Sequence, residues 1–80
     1  MPTYLLEHKH EAAECKAASA AWSGFDSPLR HQPTLSTCLG GDHRLWWVVE
    51  AGDEAGAMAQ LPAYVGRRAV AVRVREIAVP

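Results

Sequence analysis

At 80 residues, with a formal net charge of -1 and a pI near 6.4, the chain is one domain with no basic field to hold a phosphate backbone or an anionic lipid surface, so nucleic acid is not an expected partner. Hydrophobic residues make up 49% and charged residues 21%, a globular balance, and no apolar run approaches the roughly 20 residues needed to cross a bilayer, so no membrane partner is expected. A chain this short buries only about 60% of the surface that its unfolded form exposes, so its core is thin.

Thr3-Tyr4-Leu5-Leu6-Glu7-His8-Lys9-His10 predicts a first strand, apolar at its start and wetter at its end. Glu11 to about Gly24 is alanine-rich, with Glu11 and Glu14 early and a glycine just past the last periodic position, and predicts a helix. Cys15, Ala18 and Trp22 fall on one stripe at helical spacing, which faces the core. Phe25 to Pro33 holds two prolines and an Asp-Ser-Pro turn, and predicts a loop. Thr34–Leu39 and His43–Glu50 read as two strands of a hairpin turned by Gly40-Gly41-Asp42. Gly52-Asp53-Glu54 opens a short helix carrying Met58 and Leu61, which Pro62 stops. In the last stretch, Arg67 to Val79, Val70, Val72 and Val74 alternate with Ala69, Ala71, Arg73 and Arg75 as a strand does.

The order βαββαβ predicts an α+β fold, the ferredoxin-like plait: one domain over residues 1–80, with an antiparallel sheet in the order 4-1-3-2 and two helices on one face. Leu45-Trp46-Trp47-Val48-Val49 is apolar at every position, as a strand buried on both sides is. Two helices cover one face only, so the expected cover of the other is a second copy of the chain, in a homodimer.

That topology sends the end of the first strand, the start of its helix, the end of the second strand and the start of the third to one end of the sheet. His8, His10, Cys15, Cys38 and His43 gather there. His8 and His10, two apart, point to one face of the sheet, and His43 comes from the neighbouring strand. Imidazole and thiolate donors about 2.0 to 2.3 Å from a common point suit a transition metal such as nickel, zinc or copper. Cys15 has two readings, since the Trp22 stripe places it in the core under the helix, while His8 and His10 can project from the opposite face. Cys38, beside the Gly-Gly turn, is freer to swing. His31, in the proline loop, reads as solvated. Such a protein is a carrier, buffer or sensor rather than a catalyst, because no general acid or base stands out beside the histidines and no cofactor fingerprint is present.

The alternative is a small-ligand pocket, or an enzyme's, between two facing sheets, lined by Tyr4, Trp47, Arg73 and Arg75. Small residues beside the two arginines make a cationic wall for a carboxylate or phosphate. The arginines otherwise pair with Glu7, Glu50 or Glu76.

The layout, the opening Pro2-Thr3-Tyr4-Leu5-Leu6-Glu7-His8-Lys9-His10 and the run Val48-Val49-Glu50-Ala51-Gly52-Asp53-Glu54-Ala55 resemble the small ferredoxin-like proteins that dimerise face to face. These include domains of unknown function of which one member binds nickel and, more distantly, dimeric α/β-barrel monooxygenases, cyclases and isomerases. The resemblance implies metal binding at His8 and His10 alone. Met1-Pro2-Thr3-Tyr4 lacks the charged and apolar regions of a signal peptide, and Cys15 and Cys38 are too few for a disulfide framework, so a cytoplasmic location is expected.

Overall fold

In a computed structural model describing residues 1–80, four strands form one antiparallel sheet: β1 (Thr3–Lys9), β2 (Leu35–Ser36), β3 (Arg44–Glu50) and β4 (Ala69–Val74). They lie in the order β2-β3-β1-β4, which counted from the β4 edge is 4-1-3-2. Three short helices connect them, α1 (Cys15–Ala20), α2 (Glu54–Met58) and α3 (Ala63–Gly66), with 3-10 turns at Ala12–Glu14 and Cys38–Gly40. The chain is an α+β fold with a slighter helical layer than two full helices.

The alternation in β1 decides the two faces. Tyr4, Leu6 and His8 are buried, as are His10 just past the strand and Trp47 and Val49 of β3. Leu6 sits opposite Trp47 and His8 opposite Leu45. These side chains meet Ala57, Leu61 and Val65 from the α2–α3 segment in one core, against which Trp22 and Leu29 pack. The other face carries Leu5, Trp46, Val48, Val70 and Val72, and the three valines are more than half exposed. A single chain therefore covers one side of the Leu45–Val49 run only.

The expected helix from Glu11 to Gly24 shrinks to α1, preceded by the 3-10 turn and followed by turn bonds from Trp22 N–H to Ser19 O and Ser23 N–H to Ala20 O. Ala18 is its only buried residue, and so short a segment has little packing to hold a longer helix together. Helix α2 ends at Met58, ahead of Pro62, so Leu61 lies beyond it, and Pro62 marks the start of the next helix. It precedes α3, where its fixed φ and missing N–H fit a helix start. Strand β2 is only two residues long, and Cys38 lies outside it in the 3-10 turn, which Gly41 closes with φ 88°, a conformation glycine adopts without strain. Strand β4 stops at Val74, paired with Thr3, and the next residue on the neighbouring strand, Pro2, has no N–H with which to continue the ladder.

Candidate metal centre

Backbone register sets two of the donors. Lys9 pairs with Arg44 at the end of the β1–β3 ladder, and one step further the His10 N–H donates to the His43 carbonyl at 3.0 Å. The two rings come to 5.2 Å between centroids. Immediately after His10 the chain turns: the Glu14 N–H donates to the Glu11 carbonyl at 2.8 Å, and the Glu11 N–H to Glu14 Oε1 at 3.0 Å. That turn swings Cys15 back over the sheet. Its sulfur lies 3.3 Å from His10 Nε2 and 3.1 Å from His43 Nδ1, and the three donor atoms all lie within 4.8 Å of one another.

A tetrahedral ion with metal–sulfur and metal–nitrogen bonds of about 2.3 and 2.05 Å separates a sulfur from a nitrogen ligand by about 3.5 Å. The two sulfur–nitrogen spacings are shorter by a few tenths of an ångström, whereas the two nitrogens, within 4.8 Å of each other, stand farther apart than the roughly 3.3 Å of such an ion, so the rings must rotate toward each other to close on it. The group can hold a metal ion.

His8 stands behind this group. Its Nδ1 donates to the Val65 carbonyl at 2.9 Å, and its Nε2 is 2.9 Å from His10 Nδ1. A carbonyl oxygen only accepts, so neutral His8 carries its proton on Nδ1 and accepts at Nε2. His10 must then be protonated on Nδ1, which leaves the lone pair of Nε2 facing the Cys15 sulfur. One carbonyl thus sets the tautomer of the ring two steps away, the arrangement by which outer partners orient metal-bound histidines. Burial first, then the neighbouring His8 and His43 and the Arg68 cation, lower the pKa of His10 below its ordinary 6.5 against the opposing pull of Glu14. Neutral imidazole, the form that binds metal, is favoured.

A second set of contacts fixes the turn to α3. Glu14 Oε2 accepts from Tyr64 Oη at 3.0 Å and from Arg68 Nε at 2.9 Å, while the Arg68 guanidinium lies 3.9 Å above the Tyr64 ring centroid. The Glu11 N–H, then the Tyr64 hydroxyl, hold the Glu14 carboxyl below its ordinary 4.5. Val65 and Tyr64 are neighbours on α3, so the element that orients His8 also anchors the segment carrying Cys15.

The predicted residues are distributed as follows. His10, Cys15 and His43 come together, and all the site histidines share the helix-covered face with Cys15, so the conflict between faces does not arise. Both ring nitrogens of His8 are engaged in hydrogen bonds, and it stands outside the three converging donors. Cys38 lines the cavity beside the group without joining it. Tyr4 and Trp47 lie in the core, whereas Arg73 and Arg75 border a separate cleft with Met1 and Thr3, so within one chain no cavity joins Trp47 to these two arginines. Glu14, Tyr64, Val65 and Arg68 went unforeseen. Glu14 alone carried a signal, three residues after Glu11 as in a capping box.

No protein-family model, no curated protein and no solved structure matches the chain.

Proposed function

We propose that the chain is a small transition-metal-binding protein, a carrier, buffer or sensor, with His10 Nε2, Cys15 Sγ and His43 Nδ1 as ligands and His8 as their support. The convergence of these three donor atoms within 4.8 Å, one of them with its tautomer set by a hydrogen-bond relay, carries this reading. Two imidazoles and a thiolate suit zinc and copper, and nickel accepts the same donors. Calorimetric titration of the metal-free protein with each ion tests the proposal. The expected result is one ion per chain bound more tightly than about 0.1 mM, or roughly -5.5 kcal/mol. Weaker binding, or binding unchanged in His10→Ala, defeats it.

The strand order and the one-sided helical layer support a ferredoxin-like plait. The exposed Val48, Val70 and Val72 beside Leu5 and Trp46 support a homodimer through the open face, since so large an apolar patch is costly in water. Cys15 and Cys38, both free thiols, support a reducing, cytoplasmic setting.

A further inference from the structure

The donor group supplies three ligands, and a tetrahedral ion has a fourth position. Sites with three protein ligands keep that position for an outside molecule. Beside the group lies a cavity of about 200 Å³, lined by His10 and Cys15 of the group and by Ala18, Ser19, Trp22 and Trp47 among others. Trp22 and Trp47 lean on each other at 5.7 Å between ring centroids and make an aromatic wall. The cavity has room for a ligand of several non-hydrogen atoms.

We propose, on the strength of the metal-binding reading, that the fourth position of the bound ion opens into this cavity and takes a small thiolate with a short apolar tail. Charge selects an anion. Two neutral imidazoles, one thiolate and a divalent ion sum to one positive charge, and no carboxylate lines the cavity to offset it. The Glu14 carboxylate is engaged by Tyr64 and Arg68. Uncompensated charge against apolar walls is costly, so an anionic ligand that makes the complex neutral is favoured. Softness and wall chemistry then select sulfur. A thiolate matches a borderline ion, and it demands fewer hydrogen bonds than the paired oxygens of a carboxylate, for which the mostly apolar wall offers a single hydroxyl, that of Ser19. On binding, the thiol's S–H bond breaks, the metal–sulfur bond forms and the proton leaves to solvent. The ion stays divalent throughout.

Cys38 is the internal competitor, since it lines the same cavity. Cobalt(II) loaded into the protein separates the two sources, because the sulfur-to-cobalt charge-transfer absorption grows with each bound thiolate. The expected parent spectrum is that of one sulfur. Butanethiol should then raise the band roughly twofold, saturably and with release of about one proton per site, and should do the same in Cys38→Ser. Ala18→Leu, which fills the cavity, should load cobalt but lose the response. A charged thiol, 2-mercaptoethanesulfonate, should act only at far higher concentration, a comparison that needs no variant. A two-sulfur spectrum before any thiol is added, halved in Cys38→Ser, would show that Cys38 fills the position and overturn the proposal. So would equal responses to the two thiols, or none to butanethiol. If cobalt does not bind at all, the metal site itself fails, and this outcome is distinct from cobalt binding without a thiol response.

Discussion

His8 Nε2 accepts a hydrogen bond from His10 Nδ1 at 2.9 Å, and this contact makes two histidines of one strand unequal. His10 presents its unprotonated Nε2 to the Cys15 sulfur, 3.3 Å away, while His8 is tied at its far side to the Val65 carbonyl. Removing a ligand and removing its support should therefore give different results. His10→Ala should abolish binding of zinc in calorimetric titration, whereas His8→Ala should keep a stoichiometry of one and lose about 10- to 100-fold in affinity. Equal losses in the two variants would place both histidines in the same role.

The metal-free protein should lose stability on mild acidification. Burial, with His8, His43 and Arg68 acting together against Glu14, holds the pKa of His10 below 6.5. Between that lowered value and 6.5 the unfolded chain binds more protons than the folded one, so stability rises with pH through the window and falls as pH is taken down through it. The urea midpoint should decline from pH 6.5 downward and the contribution of His10 should level off below its folded pKa. His10→Gln should flatten that part of the curve. A midpoint that rises on acidification across the window would contradict this assignment.

Glu14 acts in the same direction at lower pH. Its carboxyl is held below 4.5 by the Glu11 N–H first and the Tyr64 hydroxyl next, so its stabilising effect is present above 4.5 and is lost as pH falls through the lowered value. Glu14→Gln should lower the urea midpoint at neutral pH, and the difference from the parent should shrink in strong acid. The same variant should weaken metal binding, because the turn carrying Cys15 loses its anchor on α3. Unaltered affinity would separate the anchor from the site.

Leu6 is fully buried between the sheet and the α2–α3 segment, and truncating it removes apolar contacts that the thin core cannot replace. Leu6→Ala should cost about 2–5 kcal/mol in urea unfolding. A loss below about 1 kcal/mol would mean that the core closes around the gap.

Val48 projects from the centre of the open face and is 69% exposed. The parent should sediment near twice 8.7 kDa, and Val48→Asp should sediment as a single chain, because a carboxylate buried at a twofold contact meets its own copy. A parent that stays monomeric at micromolar concentration would leave the valines facing water.

Much of this molecule follows from local patterning. The alternation of Tyr4, Leu6 and His8 assigns β1 its two faces, and the order of strands and helices brings His10 and His43 to one end of adjacent strands, since strand periodicity and hairpin connection act over a few residues. Which side of the sheet Cys15 reaches is decided by the turn at Ala12–Glu14, whose direction depends on Glu14 meeting Tyr64 and Arg68 some 50 residues away. The division of labour between His8 and His10 likewise depends on the Val65 carbonyl, which is placed by a helix that begins after Pro62. A hydrogen bond between groups 57 positions apart leaves no periodic trace in the chain, because it requires the packed core to bring the carbonyl and the ring together.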